Sequence, residues 1–223
     1  MAAVSPGTGN PSQLRGDEFD TQQTPSQIRK LASLWITVKE AEDICRQFQR
    51  SCIQNRQVLW SGMLRETAQR WADERDFQTL TTALGPLLDP SHPDCPHDRK
   101  SSGGWAKYIH GASVLFAWYI SQTDLVTVLS QPPPQRFHPS GQTFYQMVEE
   151  PIIKGMMGNT AVSKIVVVHP TVGGAADFTY EMWPHDEPSL WTMSFGIPDI
   201  VVYWRQVKAK KPQQYGSISK VCG

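Results

Sequence analysis

Apolar side chains recur every three or four residues along most of the chain, and that spacing predicts helices. Thr24-Pro25 reads as a helix start, with Thr as N-cap and Pro in the first turn. Ile28, Leu31, Leu34 and Trp35 follow at helical spacing. Val38, Ala41, Ile44, Cys45, Phe48 and Cys52 form a second stripe, opposed by Glu40, Asp43, Arg46 and Arg50. A helix from about Gln57 to Asp73 is expected next, with Trp60, Leu64, Ala68 and Trp71 on its inner side. Phe77, Leu80, Leu84 and Leu87 suggest another, which stops near Gly85-Pro86 or Asp89-Pro90. Trp105, Tyr108, Ile109, Ala112, Leu115, Phe116, Tyr119 and Ile120 give an apolar face so wide that a central, buried helix is predicted. A helix from Ser140 or Gly141 towards Ile153 must end or kink at Pro151. The last, over 188–207, carries Leu190, Met193, Ile197, Val201 and Trp204.

Other segments break this rhythm. Residues 164–169 (KIVVVH) are β-branched and read as a strand, and Phe178 to Trp183 alternate and can return beside it after Gly173-Gly174. Residues 89–104, with their prolines and glycines, read as a loop. The expected fold is therefore mainly α: an irregular helical bundle with a small β-hairpin near residues 164–183. The expected organisation is a disordered tail over 1–24, a single helical domain over 25–207 and a basic, polar tail over 208–223.

Composition narrows the function classes. The chain has 223 residues, 39% of them hydrophobic, with eight Trp, so a core of one large domain is expected. Lys plus Arg and Asp plus Glu each number 21, which leaves no net field to draw a chain-wide contact with nucleic acid or a membrane surface. MAAVSPGTGN shows no charged start and no apolar core of a signal peptide, and no apolar run approaches a membrane span. Nucleus or cytoplasm is the expected location.

Candidate chemistry is sparse. His92, Asp94, Cys95, His97 and Asp98 are metal-ligand types within seven residues, but a structural zinc site needs two separated pairs of ligands, and a polar Pro-rich loop accounts for them. Cys45 and Cys52 lie about two helical turns apart, on one face, and read as core. Glu149 and Glu150 point in different directions on a helix and read as a solvated face. No nucleophile elbow, P-loop or dinucleotide fingerprint occurs. Lys208, Lys210 and Lys211 are fewer than a usual nuclear address. Trp105, Trp118 and Trp204 sit at core spacing. No catalytic, cofactor-binding or metal-binding residue is assigned, and no cofactor is expected.

The segment Gly104–Leu115, with Trp105, His110, Gly111, Ala112 and Leu115, resembles a recurring helix in the regulatory middle region of fungal-specific transcription factors. Phe137 to Phe144 resembles the linker and helix start that follow it there, and Ile200 to Arg205 that region's later Leu- and Trp-rich helices. The resemblance spans residues 104–205. It implies a non-enzymatic, helical regulatory protein that acts through a protein partner or a small hydrophobic ligand. The six-cysteine zinc cluster of that family is absent, so direct DNA contact is not expected. Trp105, His110, Gly111 and Phe144 are the positions whose change is expected to disturb packing most. Two rivals stand beside this reading. One is a small enzyme of specialised metabolism with an aromatic pocket, recognisable by His110, His138 or His169 beside a carboxylate in a cleft. The other is a helical, self-assembling coat-like protein.

Overall fold

The computed structural model describes residues 24–197. It contains α1 (Ser26–Ala32), α2 (Val38–Ser51), β1 (Val58–Trp60), α3 (Arg65–Asp73), α4 (Leu80–Leu84), α5 (Ser102–Ile120), β2 (Leu125–Leu129), α6 (Glu150–Ile153), β3 (Lys164–Val168), β4 (Tyr180–Trp183) and α7 (Pro188–Phe195). The strands form one sheet in the order β1-β2-β3-β4. β1, β2 and β3 are parallel, with Leu59 opposite Val128 and Val128 opposite Val167; β4 runs antiparallel to β3.

This α/β architecture overturns the expected helical bundle with a small hairpin. The strand pair near 164–183 is present, as the outer half of a four-stranded mixed sheet. The two strands not anticipated are short and buried. Trp60, Leu64, Ala68 and Trp71 mimic helical spacing, yet Val58–Trp60 is strand, and Gly62 turns the chain at φ 75° before α3 begins. Leu125–Leu129 is buried on both faces, so it lacks the period-two alternation that marks a half-exposed strand. The expected helix over 188–207 ends at Phe195, where Gly196 takes φ 71°; residues 198–207 lie outside the described residues. The expected tails over 1–24 and 208–223 lie almost wholly outside them too.

Both sheet faces are covered, as parallel strands require. Leu59, Val126, Val128, Ile165 and Val167 join the main core with α1, α2, α5 and α6. Val58, Leu129 and Val168 instead meet Ala68, Trp71 and Ala72 of α3 in a smaller cluster on the other face. Local signals set the helix ends. Thr37 and Glu40 form a reciprocal capping box at the start of α2, and Ser101 caps α5 through the Gly104 N–H at 3.1 Å. α5 is buried along most of its length, including Tyr108, Val114, Phe116, Ala117 and Trp118.

α5 comes close to the α1–α2 connection because position 111 is glycine. A Cβ there would lie 2.6 Å from Ile36 Cγ2 and 2.9 Å from Ile36 Cγ1, and Ile36 is itself buried. Gly111→Ala is expected to destabilise the fold by about 1–3 kcal/mol through overpacking. Ile36→Ala in the same chain should restore part of the loss. Denaturant unfolding of both single variants and the double variant checks this; a neutral Gly111→Ala would show that the close approach limits nothing.

At the carboxyl ends of β2 and β3 a buried polar chain ties the sheet to its edge. His169 is fully buried, with Nδ1 3.2 Å from the Ser130 carbonyl and Nε2 3.0 Å from the Tyr180 hydroxyl. Arg136 links Tyr180 to Asp186, which it holds through two bonds of 2.8 and 2.6 Å. Burial pulls His169 down to about 4, against the Ser130 carbonyl, which favours the charged ring. The folded state therefore favours neutral imidazole. That stability is complete above the ordinary histidine value and is lost as pH falls towards about 4, by up to about 3 kcal/mol. The stability advantage of wild type over His169→Gln, from unfolding at a series of pH values, is expected to shrink across that window. An advantage independent of pH would show that the ring is not held neutral.

Candidate active site

The sheet's geometry fixes where a ligand site is expected: the crevice beyond the carboxyl ends of parallel strands. A cleft of about 300 Å³ lies beyond the end of β1. Its walls come from Leu59 to Met63, from Ile109, His110 and Ser113 on α5, from Leu80 on α4, and from Thr143 to Tyr145 with Glu149. Among the described residues Glu149 is the one charged side chain on this lining.

Local winding brings Glu149 there. Tyr145–Glu149 forms a π-helical turn, with the Glu150 N–H bonded back to the Tyr145 carbonyl, and it runs straight into α6. Such wide turns re-aim single side chains and recur at functional sites. Tyr145, Val148, Ile152 and Ile153 anchor the segment in the core. The neighbouring carboxylates then part. Glu150 pairs with Lys154 one turn on, at 2.6 Å, while Glu149 accepts a hydrogen bond from the Ser113 hydroxyl of α5. The expected solvated pair is thus corrected: only Glu150 is spent on a surface ion pair.

Desolvation raises the Glu149 carboxyl to about 7, with the Ser113 hydrogen bond working the other way. A carboxyl poised near neutrality can exchange a proton or carry a negative charge at physiological pH, the usual condition of a catalytic carboxyl. Two lining residues, Ser61 and Tyr145, carry hydroxyls that are buried without a hydrogen-bond partner behind the cleft surface.

Aromatic rings build the rim. His110 stacks on Phe144 with centroids 4.7 Å apart and planes 9° apart, and Trp35 meets both edge-on at 5.9 and 6.0 Å. Trp60 stands at the end of β1. Three of the positions singled out in the sequence therefore converge here: His110 and Phe144 in the wall, and Gly111 behind it. Trp105 lies apart, stacked on Tyr108 at 5.4 Å. Of the three histidines that would mark an enzyme, His110 shares its cleft with Glu149; His138 bonds Ser140 in a loop and His169 is buried in the sheet network.

The other candidates are occupied elsewhere. Among the described residues no group of three His, Cys, Asp or Glu side chains is placed to hold a metal ion. In the 92–98 loop Cys95 is buried, the His92 ring accepts from the Asp94 N–H, and His97 packs edge-on against Trp105 at 4.9 Å. Cys45 and Cys52 are free thiols that burial pushes up to about 12, too high for a nucleophile. Trp118 is core; Trp204 and the 208–211 lysines lie outside the described residues. No helix of the described residues is long and apolar enough to cross a membrane.

A larger concavity of about 940 Å³ lies on another side of α5, between α2 and the 86–100 segment. Its Glu40 is held below the usual carboxylate range: burial opposes this, but hydrogen bonds from Lys100 and Thr37 outweigh it. Tyr108 beside it is pushed up by burial. Neither changes charge near neutral pH, so the chemistry is assigned to the smaller cleft. The chain matches no known protein family, no curated protein and no solved structure.

A carboxyl held near 7 costs stability whenever it ionises. The cost is absent below the ordinary glutamate value, builds as pH rises through the gap and is complete above about 7. Glu149→Gln is expected to stabilise the protein by about 2 kcal/mol near pH 8 and by little near pH 4. Thermal unfolding at the two pH values reads this directly. A destabilised variant at the higher pH would mean that Glu149 contributes structure rather than strain.

Proposed function

We propose that this protein is an enzyme that cleaves a glycosidic bond to a planar nitrogen heterocycle, with Glu149 opposing the positive charge that develops on the sugar. The observation that carries the reading is a single carboxyl in an otherwise uncharged, aromatic-rimmed cleft. Phosphoryl transfer and acyl transfer develop negative charge at the reacting centre and need cations or oriented donors there. Among the described residues this lining offers no lysine or arginine. A carboxylate in an apolar wall suits the opposite case, an oxocarbenium-like transition state.

Most O-glycosidases place two carboxyl groups across the scissile bond, one of them as an acid for the leaving oxygen. Here Glu150 faces away, and no second carboxyl lines the cleft. A leaving group that departs without protonation removes the need for the acid. A pyridinium N-riboside is such a substrate. Its C–N bond breaks with the electron pair going to the ring nitrogen, which neutralises the ring's charge. Water then adds to the sugar carbon and loses one proton, which Glu149 accepts and passes to solvent. The flat ring would lie beside Trp60 and Phe144 of the cleft wall. Ser113 orients the carboxylate.

The test is release of free base from nicotinamide riboside and related unphosphorylated pyridinium N-ribosides, followed by chromatography. Wild type is expected to release nicotinamide, with kcat/KM rising through about pH 7 to a plateau, since the carboxylate is the working form. Glu149→Gln should fall by about a hundredfold or more while remaining folded. No release from these or other N-ribosides, or full activity in Glu149→Gln, would overturn the reading. The regulatory proposal drawn from residues 104–205 would then be the better one, with a protein or ligand partner to be sought.

A further inference from the structure

We infer that the larger cleft between α2 and the 86–100 segment is a second binding site, for a small molecule carrying two or more phosphate groups. The proposal does not rest on the glycosidic reading. Lysines and arginines outnumber carboxylates five to three along the walls of this cleft, in a chain whose formal net charge is zero. Two of the three carboxylates are already engaged, and the third, Asp94, is exposed and stands 3.8 Å from His92 Nδ1. Glu40 holds Lys100 and caps α2, and Asp43 holds Lys39 at 3.3 Å and Arg46 at 2.9 Å.

Two guanidinium groups have no carboxylate partner among the described residues. Arg50, two turns along α2 from Asp43, forms neither a hydrogen bond nor an ion pair among the described residues. Arg99 reaches only the carbonyls of Pro93 and Asp94, both at 3.5 Å. They stand on elements far apart in sequence and face one concavity. A guanidinium fork matches phosphate oxygens two at a time, so arginines without a carboxylate partner on one concavity select phosphate over a simple halide or a single carboxylate.

The loop that carries Arg99 is held rather than loose. Cys95 and Pro96 are buried, Asp89 closes a turn on Ser91 at 2.9 Å, and His97 packs on Trp105. Long irregular segments fixed to a scaffold are where binding residues concentrate. The concave shape confines the ligand to small-molecule size, and the zero net charge gives no extended field for a nucleic acid.

Calorimetric titration of the full chain with inorganic tripolyphosphate, at low and at physiological salt, tests this. One saturable site is expected, weaker as salt rises. The double variant Arg50→Ala/Arg99→Ala should weaken binding by about tenfold or more. Arg65→Ala/Arg70→Ala removes the same charge from exposed positions outside the cleft and should leave binding unchanged. Glu149→Gln should also bind as wild type does. Absence of saturable binding at low salt, equal weakening by both arginine pairs, or loss of binding in Glu149→Gln would each overturn the proposal: the first removes the site, the second reduces it to bulk charge, the third moves it to the other cleft.

Discussion

Burial of α5 governs the rest of the molecule. Ten of its nineteen residues are buried, and the helix packs against α1, α2, α4 and the segment leading into α6. A helix apolar on nearly every side has no stable place except between layers. The strands supply one layer, and their own burial on the α5 face removes Leu59, Val126, Val128, Ile165 and Val167 from water. The close contact of Gly111 with Ile36 then fixes α5 against the α1–α2 connection with almost no slack. Close-packed interiors tolerate little displacement, so this contact sets how deep α5 sits and where its polar residues emerge.

One of those residues is Ser113, and it meets a carboxyl that the fold alone does not need. Glu149 sits in a segment otherwise anchored by Tyr145, Val148, Ile152 and Ile153, and an apolar side chain there would be more stable. Ser113 offsets part of the desolvation through one hydrogen bond, and the carboxyl still lies near 7. Unpaired Ser61 Oγ and the Tyr145 hydroxyl add to the same local cost. The raised Glu149 carboxyl is more economically explained by ligand chemistry than by packing, since a single substitution would remove it.

The helices were legible because their amphipathic stripes are real: Val38–Ser51 and Ser102–Ile120 fall where the spacing puts them. Half of the sheet, β1 and β2, was not, for two physical reasons. A three-residue strand such as Val58–Trp60 is shorter than any periodicity window. Leu125–Leu129 and Val58 with Leu59 are buried on both sides, so alternation, the usual strand signal, is absent by construction. The site carried a signal that the spacing of two carboxylates obscured. At helical spacing Tyr145, Glu149, Ile152 and Ile153 share one face, so Glu149 falls on the apolar side and Glu150 off it. A carboxylate on a core-facing stripe marks a functional candidate; reading the pair as one solvated feature hid it. The wide turn at Tyr145–Glu149, and the approach of Ser113 from thirty-six residues away, had no local signature.

α5 also explains how two clefts of opposite character coexist on so small a framework. Consecutive residues on a helix point about 100° apart. Tyr108 thus forms part of the polar, cation-rich cleft, while Ile109, His110 and Ser113 line the apolar cleft with Glu149. The capping box at Thr37 and Glu40 belongs to the first cleft, and the Gly111–Ile36 contact lies beside the second. Neither wall is an independent loop. The buried part of α5 belongs to the core that both clefts border, so the walls of each are built on the same packing.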